Sequence, residues 1–342
     1  HIPNPTEQIV VIKNWGNITF LVKKRPFTPS EARQIYQFCQ KRFFTPIMMP
    51  PITSQKEELS PESPNEELTR YLQMIFSRER AQFYRSYSFN IQPATDEKPY
   101  FSQFLRWKQI PQLMSAFGTF QLPFFELGYW IILLTLLQVI IISFLCIILP
   151  LFRLKGSGSK RFAFMYFSGI GIGFMFIEIV LIQRFIFYFG NPIYAAAITL
   201  SGILIFSGVG SYLSSRVSVT RVLLRRFLLS VGTVCVVYSL FLPLLLKSTI
   251  AFPISIKAII STMVLAFPGI LMGFPFPLGI RYLSIDREWQ IPWAWGINGC
   301  FSVISAVLAA LLAVEIGFRG VLLAAALAYT GASLATVHQP SD

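Results

Sequence analysis

Histidine is almost missing from this chain. Of its 342 residues only His1 and His338 are histidine. Imidazole proton transfer and His-ligated metal centres are therefore nearly excluded from the sequence between them. Cysteine is scarce as well. Cys39, Cys146, Cys235 and Cys300 have neither metal nor redox spacing and read as small apolar fillers. Charge is the third shortage. Only 13% of residues are Asp, Glu, Lys or Arg, about half the roughly 25% of a soluble domain. Acidic residues are the scarcer sign, 16 against 29 basic, for a net charge of +13. No phosphate loop, dinucleotide fingerprint, nucleophile elbow or metal cluster can be found. What remains is apolar. The chain is 54% hydrophobic with 33 phenylalanines and a mean hydropathy of +0.58, which rules out an ordinary cytosolic globule.

The composition is uneven along the chain. Residues 1–127 hold 11 acidic and 15 basic groups, whereas residues 128–342 hold 5 and 14. The second part contains seven stretches of about 20 mostly apolar residues, the length a spanning helix needs. They lie at 127–152, 163–187, 193–213, 227–246, 258–280, 293–314 and 318–337. The 25 residues from Leu127 to Leu151 carry no charge at all. The expected fold is mainly α: a polytopic transmembrane bundle of about seven helices over 127–338, an amphipathic linker at 109–126, and a small α+β segment over 1–108. Its partner is the lipid bilayer. The chain opens on His rather than Met and shows no signal peptide, so it reads as a fragment or as a chain missing its natural start.

In the polar segment, Gln8–Lys13 and Ile18–Lys23 read as strands joined by a turn at Trp15-Gly16-Asn17. Thr28-Pro29-Ser30-Glu31 is a helix start with a capping box, and that helix runs to about Phe44. Thr53–Asn65 reads as a flexible loop and Glu66–Tyr87 as a second helix. The cluster Arg78-Glu79-Arg80 with Arg85 reads as a solvated helix face rather than a nucleic-acid patch, because acidic residues interleave with it. No nucleic-acid partner is expected. A hairpin and two helices bury little core by themselves, so something further should complete them.

The candidate site residues are the polar groups inside the apolar part: Glu178, Gln183, Arg184, Arg281 and Asn298. A carboxylate in a span is costly and should face a partner or a wet cavity. Glu178 and Arg184 lie six residues apart, about 240° around a helix, and do not share a face. They serve either as structural clamps between helices or as a substrate or proton site. Pro268, Pro275 and Pro277 kink or break the fifth stretch. Gly169 and Gly173 form a small-xxx-small pair for close helix packing, not a nucleotide loop. No metal-binding or cofactor-binding residue is identified, and the catalytic residues are unknown.

Three stretches carry a family resemblance. The first is Pro93–Phe101 (PATDEKPYF), followed by Phe104-Leu105-Arg106-Trp107. The second is Phe174–Gly190 (FMFIEIVLIQRFIFYFG), followed by Tyr194-Ala195 and Ser207-Gly208-Val209-Gly210-Ser211. The third is Met272–Gly279 (MGFPFPLG), followed by Pro292–Cys300 (PWAWGINGC). Together they resemble the C-terminal part of bacterial membrane-bound spermidine-synthase-like proteins. Those join a Rossmann-type S-adenosylmethionine-dependent transferase domain to multi-pass membrane regions. The resemblance implies that residues 1–108 are the C-terminal remnant of that transferase domain. It also implies a missing N-terminal transferase domain as partner. S-adenosylmethionine or its decarboxylated form would be the parent's cofactor, with none held by this fragment. The implied location is the bacterial cytoplasmic membrane. Asp96 falls in a TDDRP-like motif, here TDEKP, where it reads as a turn residue before Pro99.

Two functions follow as expectations. One is the membrane-embedded part of such a transferase, anchoring its catalytic domain. The other is a transporter- or channel-like module for a small or lipid-soluble substrate, motivated by Glu178, Arg184 and the proline-rich fifth stretch. The positive-inside rule and the resemblance predict opposite orientations. Loops 153–161, 214–226 and 281–292 hold ten basic residues, against four in the alternate loops. The positive-inside rule therefore places the first set in the cytoplasm. With seven spans, residues 1–127 then lie outside, whereas S-adenosylmethionine is cytosolic.

Overall fold

A computed structural model of the chain describes residues 5–50, 66–117, 126–153 and 158–336. Its contacts divide the chain into two units, His1–Gln92 with Arg106–Gln109, and Pro93–Leu105 with Ile110–Asp342. The TDEKP stretch, placed by sequence with the polar segment, thus groups with the apolar helices. The expected loop at 53–65 and most of the linker after Phe117 lie outside the described residues.

The first unit is built on a small antiparallel sheet of β1 (Ile9–Lys13), β2 (Ile18–Val22) and β3 (Thr45–Met48), in the order β2-β1-β3. Period-two alternation sends β1 to both faces. Val10 and Ile12 pack with Cys39 of α1 (Pro29–Arg42) on one side. Val11 packs with Ile47 and with Leu72 of α2 (Glu66–Phe76) on the other. The expected capping box is formed: the Glu31 N–H donates to Thr28 Oγ1 at 3.3 Å, and the Thr28 N–H donates to Glu31 Oε2 at 2.8 Å. Strand β3 was not legible in sequence because Pro46 interrupts it. It pairs across a bulge at Val11/Ile12, where a proline at a sheet edge is tolerated.

Three expectations for the fold need correction. The helix expected over Glu66–Tyr87 is two helices, α2 and α3 (Arg80–Ser86). Ser77 parts them: its hydroxyl donates to the Met74 carbonyl at 2.8 Å and accepts the Glu79 N–H at 3.1 Å, diverting backbone bonds from the helix. Among the described residues no Rossmann fold is present, since the sheet has three strands and all are antiparallel. The helix count also differs from about seven. Nine helices of at least eleven residues occur among the described residues, and six segments are long and apolar enough to cross a membrane.

The helical unit begins with α4 (Ile110–Phe117). Its six apolar segments then follow. They are α5 (Leu127–Leu151, with a π turn at Phe144–Ile148), α6 (Arg161–Phe189), α7 (Pro192–Ser214) and α8 (Arg221–Ser248). Next come α9 (Ile254–Gly273) with its continuation α10 (Pro275–Asp286), and α11 (Ile291–Leu334). Two of the seven expected spans fuse in α11, where Gly317 takes a non-helical φ of 75° and ψ of 173°. The chain doubles back there. An ideal Cβ at Gly171 would meet Asn298 and Ser302, and one at Gly169 would meet Ala328 and Ala332. Both arms of α11 thus flank the same level of α6. Between α9 and α10, Phe274 keeps helical φ/ψ of −77° and −47°, so the prolines bend the helix without unwinding it.

Lipid tails are as apolar as leucine, so helices in a bilayer associate mainly through close packing. The tightest approach joins α7 and α9. A Cβ on Gly210 would lie 2.0 Å from the Ile270 carbonyl oxygen, and one on Gly273 would lie 2.2 Å from that of Ser207. The backbones touch, and only glycine fits. Gly169 and Gly173 pack as expected, under Ala332 and the Tyr329 ring.

Contacts sort the loops to two ends of the bundle. At one end Arg281 donates to the carbonyls of Ser214 (2.7 Å) and Val217 (3.2 Å), Arg221 donates to Tyr282, and Gln290 donates to Ser159. This end gathers the three basic loops. At the other end the Tyr188 hydroxyl donates to Thr249, Lys257 donates to the Tyr188 carbonyl, and the Tyr129 hydroxyl donates to Glu315.

Candidate functional site

The helical unit holds two polar clusters. The first lies at the end opposite the basic loops. Thr95 and Lys98 exchange backbone hydrogen bonds of 3.2 and 2.9 Å, closing a tight turn whose tip is Asp96-Glu97. Asp96 sits in this turn before Pro99 and is exposed. Its neighbour Glu97, not singled out from sequence, is the anchor. Arg184 Nη2 donates to both Glu97 oxygens, at 2.8 and 2.7 Å. Arg319 joins through Nε at 3.0 Å and through its backbone N–H at 3.3 Å. The Glu97 carbonyl accepts the Phe318 N–H at 3.1 Å, Lys98 Nζ donates to the Glu315 carbonyl, and the Arg184 guanidinium stacks over Phe318. Arg184 is 5% exposed and Glu97 27%, so this is a charge-assisted, partly desolvated pair. The reversal at Gly317 is required here, because a Cβ would stand 2.9 Å from the Glu97 carbonyl oxygen at a φ that L residues rarely adopt.

Beside this clamp, the Glu126 carboxylate accepts Gln103 Nε2 at 2.6 Å and the Leu105 N–H. Burial pushes its pKa up from the ordinary value, against the lowering pull of backbone hydrogen bonds from Leu105 and Phe104. Tyr100 is likewise pushed up by burial.

The second cluster sits inside the bundle. A cavity of about 330 Å³ lies between α6, α7, the α9–α10 bend and the first arm of α11. Its apolar wall includes Ile170, Phe174 and Phe276. Its polar wall is Ser207 and Ser211 of α7 with Asn298 and Ser302 of α11. Each pair is spaced i, i+4, so both residues of a pair share one helix face. Gly273 and Pro277 also line it. Pro277 has no N–H, so the Gly273 carbonyl loses its i+4 donor. Asn298 Oδ1 is buried with no hydrogen-bond partner among the described residues, a costly state for an amide. Ser305 Oγ, one turn further along the same face, is buried and unpartnered too. Gly171 of α6, level with Asn298, lies ten residues from Arg161, about 15 Å along the helix. That is half the roughly 30 Å thickness of a bilayer core.

The five sequence-selected residues therefore separate. Arg184 belongs to the clamp. Arg281 caps the C-terminal end of α7, where a cation suits the free carbonyls. Asn298 lines the cavity. Glu178 is half-buried on α6, one turn beyond Phe174 and two turns from Gly171, and Gln183 is half-buried nearer the clamp end. Neither has a side-chain hydrogen bond among the described residues. Sequence reasoning missed Glu97, Ser207, Ser211 and Ser302. The available signal for the serines was their i, i+4 spacing within apolar helices.

No charged side chain lines the cavity among the described residues, and no group of three or more His, Cys, Asp or Glu that could hold a metal occurs among them. Its chemistry is hydroxyl, amide and carbonyl. It can bind by hydrogen bonding but offers no nucleophile activated by a base. No family model, curated protein or solved structure matches the chain.

Proposed function

We propose that the helical unit is a membrane-embedded binding module of transporter type, taking a small uncharged hydrogen-bonding solute. The observation that carries this is the buried, unpartnered Oδ1 of Asn298, a residue that lines a cavity with Ser207, Ser211 and Ser302 beside a proline bend. Polar groups within a span are functional candidates by default. Transporter sites favour broken or bent helices near the midplane. Glu178 stands one turn away as a proton-coupling group. The cavity lies at the small end of the range for ligand pockets, which selects a compact solute.

The test is accessibility. In a background with the four native cysteines replaced, Ser302→Cys should react with a small water-soluble thiol reagent, and Asn298→Leu should slow that reaction. A Ser302→Cys protein that stays unlabelled while a loop cysteine labels fully defeats the reading. Uptake of small uncharged solutes into proteoliposomes, compared between the parent and Glu178→Gln, then tests coupling.

A second reading rests on the resemblance: a spermidine-synthase-like transferase whose helices anchor the catalytic domain, with S-adenosylmethionine or its decarboxylated form held outside this chain. What favours it is the docking of Thr95–Pro99 onto α6 and α11, a firm fastening of the segment that follows the first unit. It expects no S-adenosylmethionine binding by calorimetry on this chain. Orientation tests the transferase reading. Reporters after Arg106 and after Val217 should report opposite compartments, with Val217 cytoplasmic by the positive-inside rule. A cytoplasmic Arg106 reporter would favour the transferase.

A further inference from the structure

A second concavity lies elsewhere on the helical unit, at its basic end, and is built unlike the solute cavity. It is a groove of about 610 Å³ between α5, α6 and the first arm of α11. Its length is apolar: Ile140, Phe144 and Ile148 on α5, Phe164 on α6, Ile297 and Ile304 on α11. Phe144 and Phe164 are 49% and 52% exposed. The groove exists because α5 packs loosely. Over Leu127–Ser143 only Tyr129 and Ser143 are buried, and the π turn at Phe144–Ile148 faces the groove. Such turns often mark functional positions.

The polar groups of this groove gather at one end. Lys160 and Arg161 line it there, with Trp293 between the cations and the apolar floor. Lys160 Nζ sits 3.7 Å from the Trp293 ring centroid and 5.7 Å from that of Phe152. Trp293 is 5% exposed, and its Nε1–H is buried with no acceptor among the described residues. An indole N–H normally finds a partner when buried. Neither the Lys160 ammonium nor the Arg161 guanidinium has a carboxylate within ion-pair distance among the described residues. Lys160, Arg161 and the Trp293 ring, with its unused N–H, thus lie at one end of an apolar slot.

We propose that this groove binds an anionic phospholipid, one acyl chain lying along α5 and α11 and the phosphate held by Lys160, Arg161 and the Trp293 N–H. Charge complementarity selects the occupant. A second copy of the chain would bring further cations, for the loops at this end hold ten basic residues, whereas a lipid phosphate brings the missing acceptors. The positive-inside rule puts this end at the cytoplasmic leaflet, where anionic lipids attract basic segments. The site is independent of the solute cavity and stands or falls without it.

The test uses the full chain, delipidated in neutral detergent and offered equal amounts of dioleoyl phosphatidylglycerol and dioleoyl phosphatidylcholine, with retained lipid read by native mass spectrometry. The parent should retain phosphatidylglycerol preferentially. Lys160→Gln with Arg161→Gln should lose roughly thirtyfold of that preference. Ile304→Trp, which fills the slot and leaves both cations in place, should retain neither lipid. Inorganic phosphate at millimolar concentration should not displace the lipid. Equal retention of the two lipids by the parent overturns the proposal. So does undiminished phosphatidylglycerol retention by the filled-slot protein, displacement by phosphate alone, or a protein dimer that excludes lipid from this face.

Discussion

The clamp around Glu97 and the cavity around Asn298 are both polar, and both belong to a unit of apolar helices. Their hydrogen bonds are settled to different degrees. In the clamp, a carboxylate meets two guanidiniums, a backbone N–H meets a carbonyl, and a lysine caps a helix end, with Arg184 Nε buried and unpartnered. In the cavity, an amide oxygen is buried unpaired and a proline leaves a carbonyl without its donor. The clamp is charged and closed; the cavity is neutral and open to a ligand. Satisfied polar groups hold a fold together. Unsatisfied ones within a span cost stability and persist where something else completes them.

That contrast can be broken experimentally. Arg184→Ala strips the main partner from a partly buried carboxylate. It should cost about 3 kcal/mol, the low end for a buried pair, because Glu97 keeps Arg319. Thermal unfolding in detergent checks it, and an unchanged midpoint would mean the clamp fastens nothing. Gly317→Ala should follow at about 2 kcal/mol, from a positive φ and the close Glu97 carbonyl. Arg319→Ala should cost under about 1 kcal/mol, since its side chain is 49% exposed. Asn298→Ala should be nearly neutral for stability, because it deletes an acceptor that was never paired, while abolishing solute binding. A loss as large as that of Arg184→Ala would place Asn298 with the structural groups.

The smallest effect concerns the first unit. Lys23 and the backbone and hydroxyl of Thr28 hold the Glu31 carboxyl down to about 2, from an ordinary 4.5. A lowered folded pKa means the cap's contribution is complete above the ordinary value and lost as pH falls through about 2. Carboxyl chemical shifts should show Glu31 titrating there. A midpoint near 4.5 would show that the capping box is open in solution.

The capping box and the β1–β2 hairpin were legible because each depends on neighbours in sequence: Thr28 with Glu31, and Trp15-Gly16-Asn17 between two runs of β-branched residues. The helices long and apolar enough to cross a membrane were legible because a bilayer demands about 20 apolar residues wherever one crosses. Strand β3 was hidden by Pro46, and the break at Ser77 by a hydroxyl whose choice of partner is local but not obvious. Glu97 was overlooked beside Asp96 because its worth comes from Arg184, 87 residues away.

By itself, then, the sequence determined that this is a chain of apolar helices with one basic face and a small capped α+β segment. Composition, period and charge bias are local quantities, and each acts through solvent. Tertiary structure alone decided which polar residues are spent on the fold and which are left over. Arg184 and Asn298 look alike in the sequence, as polar residues in greasy runs. The turn at Thr95–Lys98 reaches one, and the reversal at Gly317 with the bend at Phe274 leaves the other facing a space. Pairing depends on which side chains lie within about 3 Å, and that distance is set by the path of the whole chain.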